Sequence, residues 1–280
     1  MRFVKMHGLG NDYIYVDTTR ERVEDPQGLA VAMSRPHVGV GADGLVLIGA
    51  SQCADLSMRM FNADGSEGEM CGNAVRCIGK YAYERGLVRR ETMTLQTRAG
   101  VKTLRLTVED GRVSRVRVDM GAPILDGPSI PALLGEGRIV RRPLEAGGRA
   151  FEVTCVSMGN PHAVIFLHED VDAFDVGRYG PLLERHAAFP NRTNVEFAAL
   201  VAPGRIRMRV WERGSGMTLA CGTGACATAV AASLCGLTGE RSTLVLDGGE
   251  LDVEWSGGTV YMTGPATFVF EGDWPAQGVE

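Results

Sequence analysis

One stretch of this chain occurs twice. MRMFNADGSEGEMCGNAVRC, from Met58 to Cys77, returns as MRVWERGSGMTLACGTGACA, from Met208 to Ala227. Met58 answers Met208 and Cys71 answers Cys221, both at a shift of 150. The same frame sets Arg59 against Arg209, Phe61 against Trp211 and Gly72 against Gly222. Upstream, GNDYIYV from Gly10 is similar to GNPHAVI from Gly159 at a shift of 149. Downstream, LTVEDG from Leu106 returns as LDVEWSGG from Leu251. Self-similarity on this scale marks one structural design built twice. The boundary is placed near 120–125, after VDMGAP. The N-terminal half, 1–122, then carries Cys71, with the final segment 265–280 expected to pack back on it. The C-terminal half, 123–264, carries Cys221.

Each half shows the same coarse pattern. Alternating segments such as LRLTV, VSRVRV and FVF read as half-buried strands, with DG at 110–111 and GG at 257–258 as hairpin turns. One helix follows each cysteine motif: AVRCIGKYAYERG in the first half and ACATAVAASLCG in the second. The second is apolar nearly all round, and such a helix is enclosed rather than laid on a surface. Two further helices are expected at PQGLAVAMSR and VGRYGPLLERH. The fold expected is therefore α+β: two pseudo-symmetric halves, each a curved, mainly antiparallel sheet wrapped around a central helix.

The two matched cysteines are the chemical puzzle. Glycine inside a helix costs about 1 kcal/mol against alanine, so Gly222 and Gly224 in succession suit a loop whose backbone N–H groups approach an anion. Four readings compete. A buried core cysteine is the usual fate of a free thiol, but it has no need of Gly72, Gly222 and Gly224. A metal site finds no support, because Cys71 and Cys77 are six apart, Cys221 and Cys226 five apart, and no paired histidines complete a set. A redox pair would need C-x-x-C, which is absent. The fourth reading uses the symmetry: two helix N-termini facing one cleft, each tipped by a cysteine. A helix N-terminus favours a thiolate and binds a carboxylate. Two sulfurs on opposite faces of one α-carbon would invert it, one removing the proton and the other returning it.

Bulk properties narrow the partners. The chain has 280 residues, with 29 basic and 34 acidic side chains and a net charge of -5. That balance argues against nucleic acid, and no apolar run has the length of a membrane span. The opening MRFVKMHGLGNDY lacks a signal-peptide core. Seven cysteines, an odd number in a long chain, do not suggest a secreted disulfide scaffold, so the cytoplasm is expected. Only three lysines are present: Lys5, Lys80 and Lys102. None sits in a recognisable pyridoxal phosphate setting, and cofactor-free chemistry is expected, with no metal. GVGADG at 39–44 formally fits G-x-G-x-x-G, but LVLIGA after it reads as a strand where a dinucleotide site needs a helix.

KMHGLGNDY, MCGNAVRC, MGNPH, RTNVEF and ERGSGMTLACGTGACA together closely resemble the diaminopimelate epimerase family. The resemblance runs from about Met6 to about Gly264. It implies two pseudo-symmetric halves with the site between them. It also implies epimerisation of L,L-diaminopimelate to the meso isomer without cofactor, in lysine and peptidoglycan precursor synthesis. Carried over by position, Cys71 and Cys221 are the catalytic pair. Gly72, Asn73, Gly222 and Thr223 hold the reacting carboxylate. Asn62, Asn160, Asn194 and Arg213 grip the far end of the substrate, Asn11 lines the pocket, and His162 and Glu212 support the thiols. Glu212 is also counted with the substrate-binding residues. The partner implied is a small molecule, and a homodimer is the candidate assembly. Two positions depart from the family: Gly44 stands where some members carry glutamine, and Met217 where many carry glutamate. A proline racemase-like enzyme is the nearest rival, but that family tends to place histidine where Asn73 stands.

Overall fold

The computed structural model describes residues 1–275. The chain divides into two compact units, one formed by Met1–Val118 with the stretch from Gly264 onward, the other by Asp119–Thr263. Of the expected C-terminal segment 265–280, the last five residues lie outside the described residues.

The first part of the chain forms β1 (Arg2–Gly8), β2 (Asn11–Asp17), α1 (Pro26–Ser34), β3 (Gly44–Gly49), β4 (Leu56–Asn62), β5 (Glu67–Gly68), α2 (Gly72–Glu84), β6 (Thr92–Thr97), β7 (Gly100–Glu109) and β8 (Arg112–Gly121). The second unit continues with β9 (Arg142–Ala146), β10 (Arg149–Ser157), β11 (Pro161–Phe166), α3 (Val176–Glu184), β12 (Asn194–Ala202), β13 (Arg205–Glu212), β14 (Gly216–Thr218), α4 (Gly222–Leu234), β15 (Arg241–Leu246), β16 (Gly249–Ser256) and β17 (Thr259–Gly264). A last strand, β18 (Thr267–Asp273), pairs antiparallel with β1 and so belongs to the first unit.

The repeat in the sequence is a repeat of strand pairing. In the first unit β1 and β2 pair antiparallel, β2 and β3 parallel, β3 and β4 antiparallel, β4 and β6 parallel, and β6, β7 and β8 antiparallel. In the second, β10 to β13 and then β15 to β17 follow the same series. Register is kept to the residue. Ile14 lies beside Leu45 and Leu45 beside Phe61, as Ala163 lies beside Val195 and Val195 beside Trp211. Each sheet is mixed, with two parallel pairings among mainly antiparallel ones.

Local chemistry sets the turns and helix starts. Asp110 and Gly111 both hold positive φ (50° and 75°), as do Gly257 and Gly258 (59° and 84°), which is the two-residue hairpin geometry expected from DG and GG. Asp25 and Asp175 cap α1 and α3 by accepting from Gly28 N and Arg178 N. The helices at 26–34 and 176–184 match the two expected weaker ones.

Both sheets are covered on two faces. In the first unit α1 packs on β3 and β4, while α2 packs on β1, β2 and β7. Gly79 lets α2 lie close, since a β-carbon there would come within 2.9 Å of Leu104. In the second unit α3 covers β12 and β13 over a core that includes Phe151, Phe174 and Phe197. Helix α4 touches β10, β11, β12, β15 and β16 and is buried along nearly its whole length, as its all-round apolar sequence requires. No helix among the described residues is long and apolar enough to cross a membrane.

Candidate active site

Cys71 and Cys221 occupy one and the same structural position, the N-cap of α2 and of α4. Both have extended backbones (φ -128°, ψ 121° and φ -118°, ψ 111°), so each chain enters its helix in the same way. Gly72 and Asn73 begin α2, and Gly222 and Thr223 begin α4. The first-turn N–H groups of a helix point outward along its axis and attract anions. Each unit therefore offers a sulfur beside a short row of backbone donors.

Around Cys71 the polar groups form a connected set. The thiol donates to Asn11 Oδ1 at 3.3 Å, and Asn73 Nδ2 donates to the same oxygen at 3.2 Å. Asn11 is turned this way by Asp43, whose Oδ2 accepts from Asn11 Nδ2 at 2.7 Å. Burial and the neighbouring Asp12 push the Asp43 carboxyl above its ordinary range, against the hydrogen bond from Asn11. Asn73 is fixed from below by Arg76, a fully buried arginine that donates to Asn73 Oδ1 at 2.7 Å, Gly72 O at 3.2 Å and Pro265 O at 3.1 Å. Gly8 leaves the room this arginine needs, because a β-carbon there would stand 2.9 Å from its guanidinium. Asn62 is exposed at the end of β4, paired with Gly44 beside Asp43, with Nδ2 on Ser66 Oγ at 2.9 Å.

The Cys221 surroundings differ. Its sulfur accepts from Gly224 N at 3.3 Å and lies 3.5 Å from Thr223 Oγ1. Asn160 Nδ2 donates to that hydroxyl at 3.2 Å, and Asn160 Oδ1 meets His162 Nε2 at 3.0 Å. His162, fully buried, meets Glu196 Oε1 through Nδ1 at 2.6 Å. Glu212 accepts a short hydrogen bond from Thr218. Burial lifts the Glu212 carboxyl, against hydrogen bonds from Thr218 and the Cys221 thiol that pull it down. Asn194 uses both ends of its amide on the protein, donating to Pro161 O at 2.9 Å and accepting from Arg213 N at 2.9 Å. The exposed Arg213 guanidinium donates to Asn191 O at 3.2 Å.

A helix N-terminus favours a thiolate, but at Cys221 other effects outweigh it, and the thiol is pushed well above its ordinary range. Burial is the first cause, and the charges of Glu212 and Glu196 add to it, against hydrogen bonds from Thr223 and Gly224 N. Magnitudes explain the outcome. A helix N-terminus is worth about 0.3–1 kcal/mol to a nearby anion, whereas full burial can move a pKa by about 3–5 units.

Three residues around the cysteines carry no assignment from sequence: Asp43, Arg76 and Glu196. Glu196 had a signal, being a lone carboxylate inside the apolar run of NVEFAAL.

The family model for diaminopimelate epimerase matches residues 3–125 and 154–269. A diaminopimelate epimerase from Pelotomaculum thermopropionicum is 56% identical over 278 residues, covering 98% of this chain and 99% of the relative. One from Methanococcus maripaludis is 51% identical over 275 residues, covering 98% and 99%. Among solved structures, a Bacillus anthracis phenazine biosynthesis protein of the PhzF family superposes with a TM-score of 0.70 at 16% identity, covering 97% of this chain and 98% of that one. A hydroxyproline epimerase from Agrobacterium vitis gives a TM-score of 0.68 at 14% identity, covering 97% and 90%. At those identities the structures speak for the fold alone. The sequence relatives go further: with half or more of its residues shared along almost its entire length, this chain is an isomerase and belongs to the diaminopimelate epimerase family.

Proposed function

We propose that the protein interconverts L,L- and meso-diaminopimelate by a two-base reaction at Cys71 and Cys221. The observation that carries this reading is the equivalence of the two cysteines: one N-cap position, occupied by sulfur in both copies of a repeated fold. A stereocentre is inverted when a base takes the α-proton from one face and an acid returns one to the other. One sulfur starts as thiolate and the other as thiol, and the roles exchange with each turnover. The α-C–H of an amino acid is a weak acid, so charge building on the carboxylate must be stabilised. The N–H groups of Gly72, Asn73, Gly222 and Thr223 are suited to that task, being fixed before the reaction begins.

The remaining assignments belong to the same reading. Asn62, Asn160, Asn194 and Arg213 bind the distal amino-acid group of the substrate, with Asn11 beside the reacting centre. Arg213 can take a carboxylate bidentately. His162 and Glu212 tune the thiols. No cofactor is assigned. Lys5 is paired with Asp12 at 2.7 Å, and Lys80 with Glu84 at 2.8 Å, so two of the three lysines are committed to partners rather than poised for a Schiff base. The enzyme is read as cytoplasmic, in keeping with seven free cysteines, and as a homodimer, whose mass in solution sedimentation would report.

Single substitutions test the pair. Cys71→Ala and Cys221→Ala are each expected to abolish interconversion of the two isomers while keeping the far-ultraviolet circular dichroism of the parent. Substantial epimerisation by either variant contradicts the two-base scheme.

A further inference from the structure

The reaction just described leaves the most deeply buried carboxylate of the second unit without a task. Glu196 sits between Val195 and Phe197 on β12, fully buried. Its Oε1 meets His162 Nδ1 at 2.6 Å, and its Oε2 is buried with no hydrogen-bond partner among the described residues. A lone buried carboxylate oxygen costs stability, so its retention calls for a reason beyond packing. The site is also made room for. A β-carbon on Gly224 would stand 2.6 Å from Glu196 Oε1 and 3.2 Å from Cys221 Sγ, so this glycine keeps carboxylate and thiol on either side of the first turn of α4.

The hydrogen bonds running from Glu196 have a direction. Asn160 gives its Nδ2 to Thr223 Oγ1, which leaves Oδ1 to accept from His162 Nε2. The ring therefore donates from Nε2 while its Nδ1 hydrogen lies against Glu196. A ring with hydrogen on both nitrogens is tolerated in a dry interior only beside an anion. The Cys221 thiol gives its own hydrogen to Glu212, so Thr223, having accepted from Asn160, is the donor across the 3.5 Å to Cys221 Sγ. If the ring held one hydrogen, on Nδ1, then Nε2 would accept. The Asn160 amide would turn over, and its oxygen would take the Thr223 hydrogen from the sulfur.

We propose that Glu196 is a positioning residue for Cys221: by keeping hydrogen on both nitrogens of His162, it orients the chain His162–Asn160–Thr223 so that it ends in a donor aimed at the sulfur. The proposal rests on the reading of Cys221 as one of the two acid/base groups. The titratable groups that meet this cluster come from four strands: Cys155 on β10, His162 on β11, Glu196 on β12 and Glu212 on β13. Cys155 and Glu212 approach Glu196 or Cys221, and Glu212 also feels the His162 ring through charge. Among the described residues the hydrogen bonds of the ring go to Glu196 and Asn160, so the carboxylate that holds its Nδ1 hydrogen is Glu196.

Nitrogen-15 spectra of histidine-labelled protein test this, alongside the kinetics of Glu196→Gln. In the wild-type protein both His162 ring nitrogens are expected to carry hydrogen. In Glu196→Gln one ring nitrogen is expected to become unprotonated. The variant's kcat should fall about 10–100-fold, the usual toll for removing a supporting partner, with KM within about twofold of the parent. A wild-type ring with a bare Nε2 overturns the proposal, and so does a folded Glu196→Gln with parental kcat. If that variant does not fold, the wild-type spectrum decides alone. Full activity in Cys221→Ala would instead remove the two-base reading, and the spectrum would still report what Glu196 does to His162.

Discussion

Gly224 and Glu196 are matched across the start of α4: the glycine's missing β-carbon is the space in which the carboxylate oxygen sits, 2.6 Å from where that carbon would be. The relationship ties a conspicuous feature of the sequence, the glycines after Cys221, to a buried carboxylate on β12, a strand that α4 packs against. Gly224 serves this packing, whereas Gly222, first in the helix, stands among the backbone donors at its tip.

Gly224→Ala therefore reverses the usual rule. Alanine ordinarily improves a helical glycine by about 1 kcal/mol. Here the added methyl meets a carboxylate, and a loss of about 1–3 kcal/mol is expected from overpacking. Urea denaturation would measure it. Gly239→Ala, with nothing within 4 Å of its β-carbon, serves as a control and should stay within about 0.5 kcal/mol of the parent.

Gly44 admits no side chain at all. A β-carbon there would lie 2.1 Å from Phe61 O and 2.9 Å from Tyr13, and the first of these is backbone of the paired strand. Gly44→Gln, which restores the residue some family members carry, is expected to destabilise by about 1–3 kcal/mol without lowering KM. Unchanged stability would show that β3 can move away from β4.

Arg76→Met removes three donors from beneath α2. Hydrogen bonds from a charged group contribute about 1.5–3 kcal/mol each, so a loss of about 3 kcal/mol or more is expected in thermal or urea unfolding. The same variant releases Asn73 Oδ1 while its Nδ2 stays on Asn11, and KM should rise. Arg76→Lys keeps the charge but not the three-way reach, and should fall between.

Stability should decline in alkali. Burial pushes the Cys77 thiol up to about 11 and the Cys155 thiol up to about 12, from an ordinary value of 9.0. A folded-state pKa above the unfolded one means that the fold keeps a proton the unfolded chain releases. The contribution is therefore complete below about pH 9 and is lost as pH rises toward 11. Each thiol should add about 1.4 kcal/mol of loss per pH unit in that window. Unfolding curves at stepped pH measure the slope, and Cys155→Ala should reduce it by about that amount.

Much of this architecture is legible in the sequence because the repeat and the turn chemistry are local. DG and GG mark hairpins by requiring positive φ, and both cysteine-tipped helices lie where the motifs place them. The supporting residues are hidden for a physical reason. Alternation along NVEF puts Glu196 opposite Val195 and Phe197, on what would be a wet face. Helices cover both faces of this sheet, so the polar side of the strand is interior too. Arg76 is hidden by the same prior, since an arginine on an amphipathic helix is expected outside, yet it is fully buried. Asp43, inside a glycine-rich loop, reads as a turn residue until Asn11 is seen to rest on it. The state of the Cys221 thiol was likewise out of reach, because helix dipoles are written locally and burial is not.

The most direct measurement follows solvent hydrogen into the product. Reduced protein is incubated with L,L-diaminopimelate in deuterium oxide, and the meso isomer is examined by mass spectrometry and proton magnetic resonance. Cys71 and Cys221 acting from opposite faces predict meso product carrying one deuterium, at the inverted α-carbon. Correctly folded enzyme that yields unlabelled meso product, or none, would contradict the account.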